Sequence, residues 1–370
     1  MPPLSSAAAR LLGSSSPAAD RAAAAGRPPE TWHRGLSLLA IVSLFLALGP
    51  LQAESAVAAP GRGALLTGVY GVLLALAAAV FAVRGRRALA VVDLLVLVLG
   101  ALRACVGFAV AIGSGGLPYG TDEGVLIHQA AVLLAHGGDI YSPSAHWPLP
   151  ATAPGVGATP LMGGGYADSY GYPPLPALLT AAALPFTHGL PTAAVVAFGC
   201  QLLAAAAMFV LLPVGWRPTA ALLCFGLDFL GSYARQGYAV VMALPFLVVA
   251  VAWWTRTGAP AGGRPGGGLG RRAVLRAICL GLAASTQQLA WFLAPFLVLG
   301  LWLVRRGDVS APGATAGPGP GRGGRPSAGR RWPPGPGWWW RPRSWCGIPP
   351  GGGTGCSVRS PRTRCRRASG

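Results

Sequence analysis

The feature that most constrains this chain is a succession of apolar runs. Several reach or approach the roughly 20 residues that cross a bilayer core at about 1.5 Å per residue. The candidate spans are Leu36 to Ala53, Ala64 to Val83, Leu89 to Ile112, Pro191 to Pro213, Pro218 to Ser232, Tyr238 to Trp254, Ala273 to Ser285 and Gln288 to Val304. The short ones among them imply tilted or partly inserted helices. A soluble globular enzyme is excluded, because 53% of the residues are hydrophobic and only 11% charged, against about 25% charged in ordinary soluble domains. The expected fold is all-α: a polytopic transmembrane protein of about eight spans, with two juxtamembrane helices in its first large outer loop.

Residues 1–35, rich in Ala, Ser, Pro and Arg, read as a flexible cytoplasmic segment rather than a signal peptide. Residues 36–112 hold the first three spans, 113–190 the outer loop, and 191–304 five further spans. From 305 to 370 the composition turns to Gly, Pro, Arg, Ser and Trp without leucine. Two readings stand for that tail: a disordered basic segment touching anionic lipid head groups, or an out-of-frame or truncated C-terminus. Arginine supplies every basic residue, and eleven arginines follow Asp308, so the formal charge of +19 is largely a property of the tail. The tail lacks a pattern of basic residues with stacking aromatics, which argues against a nucleic-acid partner. Arginines before the first span, after the second and around residues 217, 256–272 and 305–306 fall on one side when eight spans alternate. The positive-inside rule then predicts a multi-pass plasma-membrane protein with a cytoplasmic N-terminus. Cys105, Cys200, Cys224 and Cys279 lie in apolar runs and are expected to pack as small hydrophobes.

The loop from 113 to 190 has no arginine, yet it carries Asp122, Glu123, Asp139 and Asp168, four of the ten acids in the chain. Two apolar segments within it, Gly124 to Ala135 and Pro174 to Phe186, are too short for full crossings and fit interfacial helices. Gly120-Thr121-Asp122-Glu123 at its head admits two readings. Adjacent acids at a membrane boundary repel one another and lose solvation, which lifts one pKa toward the range of a general base. Alternatively Thr121 or Asp122 caps the following helix, with an acid in the first turn. The loop histidines, His128, His136, His146 and His188, show no metal-ligand spacing and read as solvated residues. No metal and no cofactor is assigned, and a divalent cation finds no support in the sequence. Within the third span, Arg103 needs an interior partner, for which Asp228 is the candidate. Asp93, about 15 Å away along that helix, is out of its reach.

The order of span, TDE, short helix, GGDIYSPS (137–144) and YGYPPLPALL (170–179) resembles the first outer loop of polytopic C-type glycosyltransferases that use polyprenyl-phosphate sugars, particularly the actinobacterial mannosyl- and arabinofuranosyltransferase-like families. Arg235-Gln236-Gly237-Tyr238 and the broken helix pair from Gly281 to Leu299 extend the resemblance, which covers about residues 89 to 304. It implies a transferase moving a sugar from a polyprenyl-phosphate donor to a glycan or glycolipid acceptor. Asp122 would be the base and Glu123 its partner or an acceptor ligand. Donor and acceptor contacts would fall to Arg235, Gln236, Asp139, Tyr141, Gln287 and Gln288. The families it resembles often carry a lysine near this helix break, where this chain has Gln287-Gln288, a departure that weakens the assignment of a second phosphate cation. Arg235 could equally snorkel to lipid head groups, and Tyr141 and Trp147 could anchor the interface rather than stack on sugar. A transporter or flippase of a lipid-linked or small polar solute is the competing reading, as is a truncated inactive membrane protein.

Overall fold

The computed structural model describes residues 30–49, 60–113, 119–147, 156–187, 191–252, 254 and 271–309. His188, the segment before Glu30 and nearly all of the expected tail lie outside the described residues. Among those described the protein is helical, with only two isolated β-bridges, Thr121 to Gly157 and Pro160 to Tyr166. The helices are α1 (Glu30–Ala47), α2 (Pro60–Ala82), α3 (Arg86–Gly113), α4 (Asp122–Ala135), α5 (Leu175–Thr187), α6 (Thr192–Leu211), α7 (Pro218–Phe225), α8 (Phe229–Arg235), α9 (Ala239–Val251), α10 (Arg271–Thr286) and α11 (Leu289–Val309).

Three of them, α2, α3 and α6, are long and apolar enough to cross a membrane, which by length and composition makes this a multi-pass membrane protein. The other five expected spans differ for local reasons. Helix α1 begins at Glu30 rather than Leu36, so its first turn is polar, and residues 30–35 are helical instead of flexible. The run from Pro218 to Ser232 is broken at Gly226–Asp228, where Leu227 and Asp228 both take left-handed backbone at φ 57°. A non-glycine residue there costs about 1–2 kcal/mol, so two in succession separate α7 from α8. Helix α9 has 13 residues. Helix α10 opens on Arg271 and Arg272, and the apolar part of α11 runs from Leu289 to Leu303.

Two apolar clusters share α6 as their common strut. One gathers α1, α2, α3, α7 and the second half of α6 around Leu44, Leu73, Val96 and Phe225. The other gathers α4, α5, the first half of α6, α8 and α9 around Leu126, Ile127, Ala197 and Met242. The buried stripe of α6 is built from small residues, Ala193, Ala194, Ala197, Ala204 and Ala205. Small side chains let helix backbones approach closely where lipid supplies no hydrophobic drive between helices. Gln201 interrupts the stripe; it is fully buried, and its Nε2 donates to the Cys224 carbonyl at the end of α7. Cys200, Cys224 and Cys279 are buried as expected, but Cys105 is exposed on α3.

At the end of the bundle where α1 begins, Asp93 of α3 is 2% exposed and is held by two groups of α1. His33 Nε2 lies 2.7 Å from Oδ2, and the Ser37 hydroxyl donates to Oδ1 at 2.7 Å. Arg103 also finds the partner its position required: Nη1 lies 3.2 Å from Asp228 Oδ1, and Nη2 donates to the Ala47 carbonyl at 2.7 Å.

The Gly226 turn presses so closely on α1 that a Cβ at 226 would collide with Ser43 Oγ. Gly226→Ala is expected to lower stability in detergent by about 1–3 kcal/mol. Adding Ser43→Gly should return much of that loss, a coupling readable by a double-mutant cycle of unfolding midpoints.

Candidate functional site

The site is assembled by two helix ends that share one stop signal. Helix α8 closes with Gly237 at φ +75°, the Gly237 N–H donating to the Ala234 carbonyl and the Tyr238 N–H to that of Tyr233. Helix α4 closes the same way, with Gly137 at φ +77° and N–H bonds from Gly137 to Leu134 and Gly138 to Leu133. This is the Schellman motif, in which glycine takes the left-handed position without a Cβ penalty. The α8 version turns the chain through Gln236 and Gly237 and starts α9 at Ala239. The turn lies against the first residues of α4, where a Cβ on Gly124 would collide with the Gln236 carbonyl and the Tyr119 ring.

The two acids at the head of α4 are therefore buried, Asp122 at 6% and Glu123 at 7% exposure. Thr121 does occupy the N-cap position, with extended backbone, but its hydroxyl makes no cap bond. Both carboxylates instead serve other segments. Asp122 Oδ2 accepts the Thr159 N–H at 2.7 Å, while its backbone N–H donates to Gly157 at 3.1 Å, stitching the 156–159 strip beside α4. Glu123 Oε1 accepts the Ala239 N–H at 2.7 Å and so caps the N-terminus of α9. An anionic group there satisfies an orphan donor and complements the helix dipole.

Burial pushes the Glu123 carboxyl up from 4.5 to about 7. The Ala239 N–H opposes that rise, the neighbouring Asp122 charge adds to it, and a hydrogen bond from the Tyr172 hydroxyl reduces it. Tyr172 is itself pushed upward by burial and by both carboxylates. Its carbonyl accepts the Tyr141 hydroxyl at 2.8 Å, and the ring of Tyr170 lies between, 5.9 Å from Tyr141 and 5.8 Å from Tyr172. Asp139 shapes this loop by accepting the Tyr141 N–H at 2.9 Å, a local turn rather than a contact to the acids.

The structure brings Asp122, Glu123 and Gln236 together. The Gln236 amide lies over Gly120, where a Cβ would sit 3.3 Å from its Cδ. Tyr141 joins them through Tyr172. Gln288 reaches the loop from the break between α10 and α11, its Nε2 donating to the Gly171 carbonyl at 3.4 Å, and the Gln287 side chain accepts the Gln288 N–H. Arg235 is turned elsewhere, its Nη2 2.7 Å from Asp228 Oδ2. The expectation of solvated histidines fails at His128, which packs on Tyr119 at 6.0 Å and whose pKa burial lowers. Helix α4 buries Asp122 to Ile127, Ala130 and Ala131 against the rest of the protein.

Tyr172 lies within the YGYPPLPALL motif, but nothing in the sequence marks Tyr119, Thr159 or His33. Tyr119 is the counterpart of Glu123, since its hydroxyl accepts the Ala193 N–H at the start of α6 at 3.2 Å. The one available signal was the density of tyrosines around the acids. An open apolar groove of about 530 Å³ lies away from the acids, between the C-terminal ends of α6 and α9 and the middle of α11, and is lined by Leu211, Trp216, Val251, Trp254 and Phe296. Among the described residues no three His, Cys, Asp or Glu side chains gather as a metal site. No protein-family model, curated protein or solved structure matches the chain.

The Glu123 carboxyl yields a pH signature. An unfolded chain releases this proton near 4.5 and the folded protein near 7, so between those values the folded state binds more protons. Stability is expected to fall as pH rises through that interval and to level off above it, by on the order of 1–3 kcal/mol. Glu123→Gln keeps an acceptor for Ala239 and should flatten the decline relative to wild type in denaturant titrations at matched pH.

Proposed function

We propose that the protein is a membrane glycosyltransferase that transfers a sugar, mannose or an arabinofuranose-like pentose, from a polyprenyl-phosphate carrier to a lipid or cell-envelope glycan acceptor. The reading places the α4 end of the bundle at the outer face of the plasma membrane, the N-terminus in the cytoplasm, and counts eight spans. One observation carries it: two adjacent carboxylates lie at the head of α4, packed against the turn that follows Arg235.

In this mechanism Asp122 is the general base. Its Oδ2 is fixed by Thr159, and no described residue donates to Oδ1, which leaves that oxygen to take a proton from the acceptor hydroxyl. Glu123, with its proton half-retained near neutrality, acts as an acceptor ligand beside it. The hydroxyl oxygen attacks the anomeric carbon as its proton passes to Asp122. The bond from that carbon to the phosphate oxygen breaks, and the electron pair leaves with the lipid phosphate. A single displacement inverts the anomeric centre. Arg235 balances the phosphate charge, and Tyr141 offers an exposed ring to the sugar. An open apolar groove begins beside Val251, about 18 Å along α9 from Ala239 by helical rise, and offers a hydrocarbon chain a surface on the bundle.

A transport reading needs a polar path between the two ends. The layer between the Asp93 cluster and Arg103 is filled by Leu44, Val96 and Phe225, which favours the transferase.

Transfer of radiolabelled sugar from a polyprenyl-phosphate donor in reconstituted membranes tests the proposal. Asp122→Asn is expected to lower the rate by about 10² to 10⁴ with insertion and expression unchanged. Full activity of that variant removes the base assignment, and absence of transfer by the wild type with both sugars removes the reading.

A further inference from the structure

Resting on the transferase reading, a second constellation bears on which donor the protein accepts. Asp228 stands between two arginines. Its Oδ1 lies 3.2 Å from Arg103 Nη1 and 3.3 Å from Arg235 Nη1, and its Oδ2 lies 2.7 Å from Arg235 Nη2. The three charges leave a surplus of one positive charge.

The surplus has a definite address. The Arg103 side chain is 9% exposed and is further occupied by the carbonyls of Phe225 and Ala47. The Arg235 side chain is 30% exposed and has only Asp228 as its acid partner among the described residues. An anion arriving at the end of α8 therefore meets Arg235.

The carboxylate is built to stay while that happens. The left-handed backbone of Leu227 and Asp228 aims it back over α8, into space that a Cβ on Gly231 would occupy. If an anion takes Arg235 Nη2, Asp228 retains Arg103 and is not left as a buried unpaired charge, the arrangement that would otherwise oppose binding. It remains beside the anion as a fixed negative charge. One negative charge on the ligand neutralises the cluster, and a second meets repulsion from Asp228.

We infer that Asp228 is a specificity-determining residue that restricts the Arg235 site to singly charged lipid phosphodiesters and disfavours lipid diphosphates.

Calorimetric titration of the full chain in lipid nanodiscs tests this with two probes, methyl farnesyl phosphate, with one negative charge, and the P²-methyl ester of farnesyl diphosphate, with two. Wild type is expected to bind the phosphodiester at least as tightly as the diphosphate. Asp228→Asn should raise the ratio of diphosphate to phosphodiester affinity about tenfold, and Asp228→Glu should keep the wild-type ratio. An unchanged ratio in folded Asp228→Asn overturns the inference. So does a wild type that prefers the diphosphate tenfold, a comparison that decides the matter even if Asp228→Asn fails to fold. Binding of neither probe overturns both the inference and the phosphate role of Arg235, whereas selective binding without sugar transfer overturns the transferase reading alone.

Discussion

Helix ends inside an apolar bundle must find partners, and in this protein several of them find those partners on distant segments of the chain. The N-caps Thr121, Pro191, Tyr238 and Asp228 make no side-chain cap bond of their own. The free N–H at the start of α6 goes to Tyr119 and that of α9 to Glu123. The carbonyls at the end of α1 go to Arg103, those near the end of α2 to Arg34, and one at the end of α7 to Gln201. The signs follow the helix dipole, with a hydroxyl and a carboxylate at N-termini and guanidiniums at C-termini. Where water is scarce an unpaired backbone group costs several kcal/mol. These few polar side chains thus fix how the short helices sit, a task that shape alone leaves open among alanine-rich surfaces.

The same constraint explains why the acids are buried. Glu123 is held at the α4 head because α9 needs an acceptor there, and the energetic strain of that position is visible in its raised pKa. Structural and chemical roles are not alternatives for such a group. A carboxylate bound by one N–H and one phenol, its pKa raised by burial to about 7, anchors α9 while lying in the range that proton transfer at neutral pH requires. Asp228 repeats the pattern with the opposite balance, since two guanidiniums surround one carboxylate.

Much of the helix map was legible. The boundaries expected for α3, α4, α5 and α6 fall within three residues of those observed, because run length, proline and glycine are local signals. The Arg103 to Asp228 pair was legible too, from the cost of a lone charge within a span. Other features were not. Nothing near Leu227 marks two left-handed residues, and the pairing of His33 with Asp93 joins residues 60 positions apart. The carboxylates at 122 and 123 stood out as residue types, yet their actual partners, Thr159 and Ala239, contribute backbone N–H groups. A backbone donor carries no signature in the sequence, so a helix cap supplied from 116 positions away reads as an isolated acid.

Gly124 and Gly237 have a consequence for any functional survey of this molecule. Neither has a side chain to contribute, but the first admits the Gln236 carbonyl and the second reverses the chain into α9. A systematic alanine survey would score both as sharply as the acids they seat. The resulting profile would draw the site as a seam where two backbones touch, with its ionisable groups merely lodged along it.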